Sequence, residues 1–158
     1  MSLYHRIIVP MDDSLAAHAG LRAAIDLAQD QQAALKIIAV VDEASEGYSG
    51  GELGWIPPAE MNSEMESGAR QLLQEAEQRA VAAGLSPESE LIVAPDGHVA
   101  RHIGAAATAW QADLIVLGTH GRHGFSRWLL GSTTENLLRG LAIALHIVPC
   151  TQAESART

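Results

Sequence analysis

Five short apolar runs divide this chain, and the stretches between them are too long for hairpin turns. The runs are Ile7-Ile8-Val9, Leu35 to Val41, Glu90 to Ala94, Leu114 to Leu117 and Ala144 to Val148. Continuous apolar runs of this length read as strands covered on both faces, not as half-exposed strands with alternating polarity. Most of the intervening segments carry apolar residues at helical spacing, such as Leu21, Ala24, Ile25 and Ala28. Parallel strands need crossover connections of a dozen residues or more, and helices supply them. The order β-α-β-α-β-α-β-α-β therefore predicts an α/β fold, a single doubly wound five-stranded parallel sheet with helices on both faces, Rossmann-like.

Local signals set the expected boundaries. The first strand starts near Tyr4 and stops at Pro10, which has no amide to give a ladder. Ser14 is the expected N-cap of a helix reaching Gln31 or Gln32. Asn62 or Ser63 caps a second helix, with Met65, Leu72, Ala76 and Ala83 inward and Gly84 closing it. A third helix after Pro95-Asp96-Gly97 turns Ile103, Ala106, Ala107 and Trp110 inward, and a fourth covers Ser132 to Arg139. The segment Ala44 to Glu60 is rich in glycine and proline and reads as a loop, either a binding lid or a mobile insertion. The expected organisation is one domain over residues 1–158, with 44–60 a flexible insertion and 151–158 a fraying tail.

Composition narrows the function classes. The 158 residues are 47% hydrophobic and 18% charged, the profile of a globular domain with a full core. A formal charge of −9 argues against nonspecific nucleic-acid or acidic-membrane partners, and it obliges any anionic ligand to find a local electropositive site. Cys150 is the only cysteine, which removes intramolecular disulfides and two-cysteine metal sites. The N-terminus lacks the apolar core of a signal peptide, and no stretch approaches the roughly 20 apolar residues of a membrane span, so the expected location is the cytoplasm.

In a doubly wound sheet, ligands sit at the carboxyl ends of the strands where the winding reverses. Three segments converge there: Pro10-Met11-Asp12, Val40-Val41-Asp42, and the loop opened by Gly118 and Gly121. The two glycines are expected to allow positive φ and a close backbone approach to a ligand. Gly131-Ser132-Thr133 begins the last helix, where unpaired amides favour an anion. Together these read as a phosphate cradle. It is not a Walker A loop, because Ser132 follows Gly131 with no lysine between them, and the sole lysine, Lys36, lies on a strand. No G-x-G-x-x-G turn follows the first strand. Positive charge then has to come from Arg122, His123, Arg127, a metal ion or backbone dipoles.

The spacing Gly118, two residues, Gly121, nine residues, Gly131-Ser132, with Val9-Pro10-Met11-Asp12-Asp13-Ser14 at the start, resembles the universal stress protein family. The runs Ala112 to Gly118 and Gly131 to Glu135 add to the likeness, which covers Tyr4 to about Cys150. The resemblance implies strand order 3-2-1-4-5, a homodimer, and membership of the ATP-binding branch. It places Asp12 against adenine or ribose, Val40 beside adenine, Gly118 near the ribose, and Gly121, Gly131 and Ser132 on the phosphates. Pro10, His120, Arg122 and Thr133 complete the candidate site, with ATP and Mg²⁺ as the expected ligands. The last strand departs from the family pattern at His146 and Pro149, which puts the geometry of the dimer in question.

Each candidate also has a plainer reading. Asp12 is at home in an N-cap cluster, although its place at the sheet's carboxyl edge favours a ligand role. Ser132 is a natural N-cap with or without phosphate, and Arg122 and Arg127 are either phosphate contacts or exposed charges. His98 and His102, four apart on one helix, read as a surface pair more readily than as metal ligands, since no third ligand is near in sequence. His120 and His123 are candidates for metal, phosphate or proton transfer. The expected function is a nucleotide-dependent stress-response regulator with adenine nucleotide as partner and a further protein partner unidentified. A slow ATPase and a nucleotide-free dimeric scaffold are the alternatives.

Overall fold

The computed structural model describes residues 2–43, 58–120 and 132–150, with the side chains of 58–62, 120 and 132 outside the description. The elements are β1 (Arg6–Met11), α1 (Leu15–Gln31), β2 (Ala34–Asp42), α2 (Pro58–Ala82) and β3 (Glu88–Ala94). They continue as α3 (Val99–Ala109), β4 (Leu114–His120), α4 (Ser132–Gly140) and β5 (Ala144–Cys150). All five strands join one parallel sheet in the order β3-β2-β1-β4-β5, as expected.

The period of two along each strand separates the two layers. Ile7, Val9, Leu35, Ile37, Leu114 and Val116 face α1 and α2, in a core shared with Leu21, Ala24, Leu73, Ala76 and Ala80. Ile8, Ile38, Ile115 and Leu117 face α3 and α4, where Ile103, Ala107, Trp110 and Leu137 meet them. Ile7, Ile8, Ile37, Ile38 and Ile115 are wholly buried, each contributing roughly 1.5–3 kcal/mol relative to exposure.

The sheet is pinned at one end and open at the other. At the amino end Asp113 accepts the amides of His5 (2.8 Å) and Arg6 (3.1 Å), tying the start of β1 to the start of β4. Arg6 adds a bond from Nε to the Trp110 carbonyl (2.7 Å) and lies 4.2 Å from the centre of the Trp110 ring. At the carboxyl end the β1–β4 ladder is registered at Ile7 and Ile8 only, whereas β1–β2 pairing continues to Met11↔Ala39. The neighbouring central strands thus part company toward the carboxyl edge. That is the switch point of a doubly wound sheet, where a ligand crevice belongs.

Several boundaries differ from expectation. β1 runs through Pro10, paired with Ile38, and β5 runs through Pro149, paired with Thr119. A proline forfeits one ladder bond and leaves its carbonyl and its neighbours' bonds in place, so neither strand ends there. α2 starts at Pro58, inside the segment expected to be loop, because proline suits the first helical turn, where amides have no partner anyway. Its buried stripe is Leu73, Ala76 and Ala80, with Leu72 and Ala83 only partly covered. β4 continues past Leu117 through Gly118 and Thr119 to His120. Of the expected insertion over residues 44–60, residues 44–57 lie outside the described residues, as does the tail over 151–158.

Candidate functional site

The chain after β1 turns on Asp12. Its Oδ1 accepts the Ser14 amide (2.8 Å), a local turn that sets up Ser14, whose Oγ in turn accepts the Ala17 amide (3.1 Å) as the N-cap of α1. Asp12 is exposed, so the carboxylate combines a structural bond with an open face at the carboxyl edge. Pro10 is half-buried and shares its sheet face with Ile8, toward α3 and α4. Val40, two residues beyond Ile38 on β2, is half-buried and packs on that same layer. Asp42 follows at the same period and faces the same way. Thr133 sits half-buried in the first turn of α4.

Between α3 and α4 lies an open groove of about 1200 Å³. It begins at the carboxyl edge with Asp42, Gly97 and His98 and runs along α3 past Arg101, Gly104 and Thr108. Thr133, Asn136 and Leu137 form the α4 wall. Small side chains on the α3 wall keep it open, and the volume exceeds the roughly 300–1,000 Å³ of an ordinary ligand pocket.

The groove's mouth is shaped by the turn between β3 and α3. The Gly97 amide donates to the Ala94 carbonyl (3.3 Å) across Pro95-Asp96, and Gly97 adopts φ +70°, a conformation open to glycine. Asp96 Oδ1 accepts the His98 amide (3.1 Å) and the His102 Nε2–H (2.9 Å), while its Oδ2 pairs with Arg101. His102 therefore turns to Asp96, and among the described residues no group of three or more His, Cys, Asp or Glu side chains comes together in a way that could hold a metal.

Gly118 does not use the positive φ expected of it. It lies inside β4 and is not among the positive-φ residues. A Cβ built there would stand 1.6 Å from the Ala16 carbonyl oxygen of α1. A Cβ on Gly20, one turn further along α1, would stand 2.8 Å from the Gly118 amide nitrogen. The glycine is needed because α1 presses directly onto the β4 backbone. Its proposed nearness to a ribose is additional to that packing.

Of the ten candidate residues, Pro10, Asp12, Val40, Gly118 and Thr133 are thus placed at or beside the carboxyl edge. Gly121, Arg122 and Gly131 lie outside the described residues, as do His123, Arg127 and the side chains of His120 and Ser132. His98, Arg101 and Asn136 were not singled out from the sequence in this role, and Asp42 was named only as part of the strand-end segment Val40-Val41-Asp42. Asp42 was legible, since it follows Val40 at strand period. Arg101 and Asn136 carried no signal, because the groove exists only once α3 and α4 are packed side by side.

Comparison with known proteins agrees with this architecture. Residues 3–149 match the universal stress protein family. Universal stress protein MJ0531 of Methanocaldococcus jannaschii is 30% identical over 147 residues, covering 93% of this chain and 83% of that protein. The crystal structure of a universal stress protein family member from Burkholderia pseudomallei superposes with a TM-score of 0.75 at 29% identity, covering 95% of this chain and 99% of the other. A universal stress protein solved in complex with cAMP superposes with a TM-score of 0.65 at 25% identity, covering 93% and 98% of the two chains. This chain belongs to the universal stress protein family.

Proposed function

We propose that this universal stress protein binds an adenine nucleotide, ATP together with Mg²⁺, at the carboxyl edge of its sheet and acts as a nucleotide-dependent stress-response regulator. The observation that carries the reading is the parting of β1 and β4 toward the carboxyl edge, with Thr133 lining a groove there that is large enough for a nucleotide. The family relative solved with cAMP supports the ligand class. In this reading Val40 and Pro10 offer the apolar surface for the base, and Asp12 takes a ribose hydroxyl or a base donor. The start of α4 from Ser132 and Thr133, with Gly121, Arg122, His120 and Gly131, holds the phosphates. Gly118 brings β4 alongside. The Asp42 carboxylate and the Thr133 hydroxyl, both on the groove wall, are oxygen donors of the kind that Mg²⁺ prefers beside nucleotide phosphates. The reading assigns no catalytic residue.

Thr133→Glu tests the phosphate end. A carboxylate in the first turn of a helix is favourable to the helix dipole, so the fold is unharmed or slightly stabilised. It repels phosphate at the same place. ATP affinity by calorimetry is expected to fall at least about tenfold while the unfolding temperature stays level or rises. Undiminished ATP binding in that variant contradicts the placement.

The homodimer belongs to the same proposal. β5 is a sheet edge without a single Asp, Glu, Lys or Arg from Ala144 to Cys150, whereas the opposite edge strand, β3, carries Glu88 and Glu90. An uncharged edge is a template for pairing with another chain. Among the described residues no helix is long and apolar enough to cross a membrane, and a cytoplasmic location is part of the proposal.

A further inference from the structure

We propose that Arg101 is the phosphate-recognising cation of the α3–α4 groove, parked on Asp96 when the groove holds no anion and transferred to the ligand's phosphoryl oxygens on binding. This rests on the nucleotide reading above and adds a named cation and a built-in competitor to it. Among the described groove-lining residues, Arg101 is the one arginine or lysine. In a chain of net charge −9, that one described cation on the groove wall supplies local attraction for an anion.

The pairing with Asp96 is suited to exchange. Asp96 does not line the groove, so Arg101 stands between a carboxylate of its own chain and the ligand space. When Arg101 leaves, the carboxylate keeps two donors, the His98 amide (3.1 Å) and His102 Nε2–H (2.9 Å). It is not abandoned as an unsatisfied charge. The Arg101 side chain is 66% exposed, and an ion pair that open to water is weak. A phosphate carries more charge and matches the guanidinium fork with two parallel bonds, so it wins the exchange. Thr133, across the groove at the start of α4, marks where the phosphates are proposed to lie. Arg101 then closes the site from the α3 side.

The test is calorimetric titration of ATP and of adenosine into the full chain, for the wild type, Arg101→Gln, Asp96→Asn and the double variant. Loss of one charge-assisted contact predicts about a tenfold fall in ATP affinity for Arg101→Gln, with adenosine affinity held within about twofold. Asp96→Asn keeps the acceptor for the His98 amide and removes the competing charge. ATP affinity is expected to rise about threefold or more, and that gain is expected to vanish in the double variant, which has no arginine to release. An Asp96→Asn variant that melts like the wild type but gains nothing for ATP overturns the proposal. So does an Arg101→Gln variant that keeps full ATP affinity or weakens ATP and adenosine alike, and this arm decides even if Asp96→Asn fails to fold. A wild type that binds neither ligand sinks the nucleotide reading itself, a result distinct from all of these.

Discussion

Gly118 illustrates how one residue serves two masters. Its position in a glycine-spaced motif suggests a ligand contact, while its geometry places the Ala16 carbonyl where a side chain would stand. Gly118→Ala therefore forces α1 away from β4. The expected cost is on the order of 3 kcal/mol, at the upper end for overpacking, because the obstructing atom is backbone and has no rotamer to escape into. Urea unfolding measures it, and a variant within 0.5 kcal/mol of the wild type, taken as roughly the span of neutral surface changes, contradicts the packing role. Gly20→Ala meets the Gly118 amide from the other side and is expected to be milder. The consequence for binding studies is practical: lost ATP affinity in a Gly118 variant reports the fold first. From sequence the motif glycines look alike, and nothing in the local context of Gly118 points to Gly20, which lies on a helix near the other end of the chain.

Among the helices, α4 buries few of its described side chains. Its buried residues are Thr134 and Leu137, and Leu137 alone enters the core under α3 and α4. Leu138 is 48% exposed. Leu137→Ala removes the one apolar side chain that is buried among the described residues of α4, at a cost of about 2–5 kcal/mol. Hydrogen exchange is expected to accelerate in α4 well before β1 or β2, since local opening follows the thinnest packing. ATP affinity should weaken with it. Uniform exchange across the molecule would show that α4 is held by something other than Leu137. The central strands β1, β2 and β4, by contrast, were legible from their apolar runs because both of their faces are buried and no register had to be inferred. The prolines misled in one direction. Pro10 and Pro149 looked like strand ends and lie within strands, and Pro58 looked like loop and opens a helix. In each case tertiary pairing or helix-start geometry outweighs the loss of one amide.

At the scale of the whole molecule, the fold class followed from alternation of strand and helix signals, and the strand order came with the family resemblance. The groove did not follow from either. It is a property of how α3 and α4 lie on the sheet, and its polar residues come from three elements separated in sequence, β2, α3 with its N-cap, and α4. The uncharged β5 edge makes the assembly testable in its own right. His146 is exposed on that strand, and His146→Lys would set a permanent charge on the edge that a second copy must cover. Sedimentation equilibrium should show a dimer in the wild type and a shift toward monomer in the variant. A monomeric wild type removes β5 pairing from the account.

The central claim is that the carboxyl edge of this sheet holds an adenine nucleotide. The most direct measurement is native mass spectrometry of freshly purified full-length protein, before and after addition of Mg-ATP. The account predicts a mass increment of one adenine nucleotide per chain, carried from the cell or acquired on addition, and lost in Thr133→Glu. A folded wild-type chain that remains at its bare mass in excess Mg-ATP contradicts it.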